Sequence, residues 1–325
     1  MTALAMKTLG SSLIPSLKNS QLFCTTSGQS YLLGHLFGKW QFFSLGADPL
    51  SLSRVPLPIW SYDWVVPAGE RLLMYCLVQR RCILWCPKTN QQAPIYGNIP
   101  RGNFHIQSSF RDESVHIWMS PSAYPTARPE LMYGKFSLVT ESLVSPFEQI
   151  LEYAPTKLLL INDKCMLTWS LGQQQIYVIN LSSGASRSLS SQIECTFLNA
   201  PFANLKRFVG ITRCGSPLLL VQTKDDTRIL NLNAENGNFS TLWNTACKSV
   251  EATMSPNGHV LLLLSNDTST ELHSLNPETH ECSYIGSTSL LHSYGKPVVT
   301  TTNQLYACDW KRQSIISIDL SFIKV

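Results

Sequence analysis

The chain has 325 residues, of which 44% are hydrophobic, 10% aromatic and 14% charged, and its 25 Lys and Arg against 21 Asp and Glu leave a formal charge of +4. That composition excludes a disordered chain, a collagen and a coiled coil, and so small a net charge argues against direct nucleic-acid binding. The charged share lies well below the roughly 25% usual in soluble chains, which leaves apolar surface for a partner to cover.

At roughly 100–200 residues per domain the length would divide in two, but closed all-β assemblies run longer as one unit, so a single domain over 1–325 is expected. Residues 1–47 contain Lys7, Lys18 and Lys39 and no acid before Asp48. A Ser- and Thr-rich, acid-free start fits a mitochondrial transit segment, but the stretch lacks Arg and Pro15 interrupts any long amphipathic helix. Nuclear or cytoplasmic residence is therefore the expectation, with mitochondrial import the alternative. No apolar run approaches the roughly 20 residues that span a bilayer.

Short β-prone runs follow, punctuated by Gly, Pro, Asn and Ser. The clearest are Leu72–Val78, Cys82–Trp85, Val115–Trp118, Lys157–Ile161, Ile176–Leu181, Val260–Leu264 and Ile315–Leu320. Each is strand length and rich in β-branched, aromatic or aliphatic residues, and almost no segment keeps a helical period for three turns. This is an all-β pattern. Leu218–Val221 and Leu261–Leu264 are apolar at every position, as strands covered on both faces must be.

A weak internal repeat organises these runs. Its clearest copy, Val250–Gly286, reads as a four-stranded meander: a strand ending at Met254, the turn Ser255-Pro256-Asn257-Gly258, a strand His259–Leu264, a polar turn Asn266-Asp267-Thr268, a strand Glu271–Leu275, the turn Asn276–Thr279 and a last strand Glu281–Ile285. Equivalent third strands are expected at Lys39–Ser44, Cys82–Trp85, Val115–Trp118, Gln175–Leu181, Arg228–Leu232 and Ser314–Leu320. Most fall at the spacing of about 40–45 residues that a propeller blade requires. Residues 119–150, with Pro121, Pro125, Pro129 and Pro146, break that spacing and read as a loop or inserted excursion.

The Ser-Pro-Asn-Gly turn, with third strands ending in Trp85, Trp118, Asn180 or Asp319, resembles a degenerate WD40-type β-propeller over nearly the whole chain. No Gly-His dipeptide opens a repeat and no Trp-Asp closes a third strand; Asp309-Trp310 has the reverse order. The resemblance implies seven four-stranded blades, with six as the alternative, closed by an N-terminal strand beside Ser314–Leu320. Ser12–Leu17 is the candidate for that strand.

Chemistry is sparse. There is no dinucleotide or phosphate-binding glycine loop, no His-Glu-x-x-His and no nucleophile elbow, so no catalytic residue and no cofactor are expected. The cysteines are scattered through apolar runs with no secretory signal before them, which suits reduced, mostly buried thiols of an intracellular protein. Cys82 and Cys86 lack a second pair or a His partner, so no metal site is expected. Asp112-Glu113 and Asp225-Asp226 are read as solvated acids in second-to-third turns.

In the family resembled, the turns between second and third strands share one face with the loops between blades. Lys39, Arg80, Arg81, Arg111, Lys311 and Arg312 are assigned to such turns on four consecutive blades, with Lys224 on another. A basic arc of this kind would attract an acidic or phosphorylated segment. The resulting expectation is a non-catalytic scaffold or adaptor subunit of an intracellular multiprotein complex. The alternatives are a substrate-recognition module, as in a ubiquitin-ligase receptor or nucleic-acid-associated propeller, and a propeller enzyme.

Overall fold

The computed structural model describes the chain except for residues 1–3, 11–19, 26, 37–38, 48–49, 59–63, 69, 77–80, 96–102, 110–113, 121–130, 138, 140–141, 152–156, 162–164, 171–174, 181–185, 189–204, 223–224, 234–238, 248 and 322–325. The described residues form strands only, arranged as seven antiparallel sheets of four.

In chain order, β1 is Met6–Gly10, and β2–β5 (Ser20–Cys24, Ser30–Leu36, Lys39–Ala47, Leu50–Val55) make one sheet. The strands β6–β9 (Trp64–Ala68, Arg71–Cys76, Arg81–Trp85, Gln92–Ile95) make the next, followed by β10–β13 (Asn103–Ser109, Ser114–Ser120, Leu131–Ser137, Ser142–Leu151). Then come β14–β17 (Lys157–Ile161, Cys165–Ser170, Gln175–Asn180, Ser186–Ser188) and β18–β21 (Leu205–Ile211, Pro217–Gln222, Thr227–Leu232, Phe239–Thr245). The sheet β22–β25 (Ser249–Met254, Val260–Ser265, Ser269–Leu275, Cys282–Ser289) precedes β26–β28 (Ser293–Val299, Gln304–Asp309, Ser314–Asp319), whose fourth strand is β1.

The chain divides into two compact units, one of Met1–Leu57 with Thr196–Val325 and one of Pro58–Cys195. The second unit holds the three sheets β6–β17. In its best-described part, Leu72, Leu73, Met74 and Tyr75 of β7 and Ile83, Leu84 and Trp85 of β8 are all buried.

In the first unit, apolar runs are apolar because each sheet is covered on both sides. Leu262 and Val260 of β23 pack with Val209, Leu218, Leu220 and Ile229 of the preceding sheet. Their neighbours Leu261 and Leu263 point the other way, onto Leu305, Ile316 and Ile318 of the following one. Alternation along a strand thus feeds two cores at once. Burying each such Leu or Ile is worth about 1.5–3 kcal/mol. The same logic joins Tyr306, Cys308 and Ile315 to Leu22, Leu32 and Phe43 of the first sheet, whose other face stacks Phe23, Tyr31 and Phe42. Burial pushes the Cys308 thiol up to about 12 and Cys24 to about 11, whereas Cys214 and Cys282 are exposed.

Four first-to-second turns of this unit are copies of one design. In Thr25–Gln29, Thr212–Ser216, Ser255–His259 and Thr300–Gln304 the first backbone N–H donates to the last carbonyl at 2.8–2.9 Å. The first hydroxyl then accepts the last N–H, at 3.1, 2.9, 3.1 and 2.9 Å respectively. The fourth residue has φ of +85°, +92°, +86° and +56° at Gly28, Gly215, Gly258 and Asn303, so glycine or asparagine is required there. Neighbouring copies touch: a Cβ on Gly28 would lie 2.4 Å from Thr301 Oγ1, and Arg213 donates to the Asn257 carbonyl at 2.8 Å.

Three expectations need correction. Val115–Trp118 lies in β11, the second strand of its sheet and not the third, because residues 119–150 supply the third and fourth strands β12 and β13. Pro146 is tolerated there because β13 is an outer strand with register shifts between Tyr133, Lys135 and Phe136 of its partner, where a missing N–H costs little. The N-terminal strand beside β28 is Met6–Gly10, paired from Met6 with Ile318 to Gly10 with Ser314. The candidate Ser12–Leu17 lies outside the described residues. Arg111, with Asp112-Glu113, belongs to the chain between β10 and β11, a first-to-second connection, also outside the described residues.

Candidate functional site

Contact between the first-to-second turns at Gly28 and Thr301 fixes the polarity of two adjacent sheets in the first unit. Their second-to-third turns, at Lys39 and at Trp310–Gln313, therefore share the opposite end. Lys39 is the first residue of third strand β4, and Arg81, assigned to the turn from sequence, is the first residue of third strand β8, while Arg80 and Lys224 lie outside the described residues. The structure describes Lys311 and Arg312 in full.

These two cations ride on a turn built around a buried carboxylate. Asp309, 0% exposed at the end of β27, accepts the backbone N–H groups of Lys311 and Arg312 with Oδ1, both at 3.1 Å. Its Oδ2 accepts from the Arg312 guanidinium at 3.4 Å and from the His292 N–H at 3.5 Å. The Trp310 N–H returns a bond to the His292 carbonyl at 3.1 Å. A buried acid is costly unless satisfied, and here four donors satisfy it.

His292 is itself held from the other side. The linker residue before it, Leu291, donates its N–H to Thr270 Oγ1 at 2.9 Å and accepts from Ser265 Oγ at 3.2 Å. The linker and the turn thus form one fixed platform across two sheets.

What this platform displays is an indole flanked by positive charge. Trp310 is 45% exposed, one of few large apolar side chains so placed among the described residues. Lys311 Nζ stands 5.8 Å from its ring centroid, a cation–π arrangement, and the His292 ring lies 6.5 Å away, tilted by 58°. Gln313 closes the turn at φ +47°, a left-handed conformation unusual for its type.

The described second-to-third turn of the adjacent sheet shares the cap, an Oδ1 accepting the N–H groups two and three residues on, but carries no indole or cation on it. Asn266 Oδ1 accepts from Thr268 and Ser269 N–H at 2.9 and 2.7 Å, and Asp226 takes Arg228 Nε at 2.7 Å. Asp309, Trp310 and His292 were not assigned to the arc from sequence. The one available signal was the reversed Asp-Trp pair followed by Lys-Arg-Gln, a wet turn opened by an acid. Among the described residues no three His, Cys, Asp or Glu side chains stand together as metal ligands, and no helix is long and apolar enough to cross a membrane. Cys82 is buried in β8, which raises its thiol, and Cys86 lies in the turn beyond it.

No protein-family model matches the sequence, and no curated protein matches it. Solved structures do. A manganese-bound oligogalacturonate lyase is 11% identical, with 98% of this chain and 97% of that one covered and a TM-score of 0.59. Virginiamycin B lyase from Staphylococcus aureus is 9% identical over 98% and 99% of the two chains, with a TM-score of 0.56. The U3-55K structure is 9% identical over 97% and 98%, also at 0.56. These are β-propeller proteins, and the chain has their fold. Likeness at this identity carries the fold and no activity.

Proposed function

We propose that the chain is a WD40-like propeller of seven blades closed by β1, acting as a non-catalytic scaffold or adaptor subunit of an intracellular protein complex. It docks an acidic or phosphorylated partner segment on the end that carries Trp310, Lys311 and Arg312. The observation that carries this reading is the Asp309 turn: a fully buried carboxylate and a left-handed Gln313 hold an exposed indole and two cations in place. Interfaces draw their energy from such aromatic and arginine side chains on pre-organised backbone. The reading rests on Trp310, Lys311 and Arg312 alone.

The test is mass spectrometry of proteins that co-purify with the tagged chain at low and high salt, beside a Lys311→Glu, Arg312→Glu double variant. Stoichiometric partners lost in the variant support the reading. Partners that exchange readily with salt favour a substrate-recognition module on the same surface. Partners retained in full by the variant move docking away from this turn, and the absence of any protein partner returns attention to an enzyme.

A further inference from the structure

The chemistry of the same turn narrows the partner further. The Lys311 ammonium stands over the Trp310 ring, so charge and apolar surface occupy one spot within 5.8 Å. A purely apolar ligand would strip water from that ammonium without replacing it. A purely acidic ligand would meet Lys311 and Arg312 but leave the indole wet. Only a ligand with a carboxylate beside an apolar side chain satisfies both parts.

A nucleic-acid backbone fits less well. Asp267 is exposed in the second-to-third turn of the adjacent sheet, at the same end of the unit, and Asp225 is exposed in that of the sheet before it. These carboxylates interrupt the row of cations that a run of phosphates needs.

We infer that the Trp310 surface takes short acidic segments in which an apolar side chain sits next to the carboxylates; this rests on the docking reading above. The apolar side chain covers the indole while the carboxylates draw Lys311 and Arg312, with the His292 ring as the neighbouring wall.

Fluorescence anisotropy on the full chain tests this with three labelled probes: a Glu-rich heptapeptide with a central Phe, the same peptide with a central Ser, and a single-stranded oligothymidine of equal charge. The Phe peptide is expected to bind about tenfold tighter than the Ser peptide. Trp310→Ala should erase that ratio, Trp310→Phe should restore most of it, and Lys311→Glu with Arg312→Glu should remove binding of both peptides. Equal affinity for the two peptides, unchanged by Trp310→Ala, overturns the inference and leaves acidic docking standing. Binding of neither peptide overturns both, and tighter binding of the oligothymidine assigns the surface to nucleic acid. Unchanged melting temperatures of the variants exclude unfolding as the cause.

Discussion

The two ends of the first unit solve the same local problem in opposite ways. At one end, four first-to-second turns repeat a single hydroxyl-capped design with neutral polar tips, Arg213 excepted, and neighbouring copies lock together through Gly28 and Thr301 and through Arg213 and Asn257. At the other end, the described second-to-third turns differ in what they carry, though Asn266 and Asp309 cap theirs alike. One is capped by Asn266, one carries the Asp226–Arg228 pair, and one sets Trp310, Lys311 and Arg312 on a buried Asp309. Repetition marks the end that holds sheets in register; variation in the displayed side chains marks the end on which the proposed docking is placed.

That contrast is open to attack by substitution. The largest loss of stability is expected at Gly28→Val, which forces a β-branched residue to φ +85° and drives its Cβ onto Thr301 Oγ1. Chemical denaturation should register about 2–3 kcal/mol, from left-handed strain together with a clash that must be relieved. Asp309→Ala should cost about 1–3 kcal/mol, since four part-buried donors lose their acceptor, and should also abolish partner binding, because the turn loses its shape. It is the one substitution expected to move both readouts.

Thr300→Ala removes the hydroxyl that accepts the Gln304 and Thr302 N–H groups, and should lower stability by about 1 kcal/mol without touching partner affinity. Trp310→Ala should do the reverse, changing stability by under about 0.5 kcal/mol because the side chain is half in water, while weakening binding. Were Trp310→Ala to destabilise as much as Gly28→Val, the division between a structural and a displaying end would collapse.

Much of the architecture was legible because strand periodicity and turn residues are local. The third strands at Lys39, Cys82, Gln175, Arg228, Glu271 and Ser314 lie where the repeat placed them. The one misplaced third strand, at Val115, came from reading prolines as a loop signal when Pro146 sits on an outer strand that tolerates it. The turn design was visible in Ser255-Pro256-Asn257-Gly258 but hidden in Thr300-Thr301-Thr302-Asn303, where Asn replaces Gly at the left-handed position. The basic arc was legible as composition only. Whether a lysine is displayed depends on a buried acid such as Asp309, and on a linker residue, His292, that enters from the preceding sheet. The first relation has the local spacing of an acid capping the N–H groups two and three residues on, but its burial has no sequence signal, and the second has no spacing of its own.

The most direct measurement is hydrogen–deuterium exchange of the chain with and without its co-purifying partner. Partner-dependent protection at 290–292 and 309–313, with the turns at 212–216, 255–259 and 300–304 unchanged, is the predicted result. Protection confined to those repeated turns would contradict the account and put the interface on the opposite end.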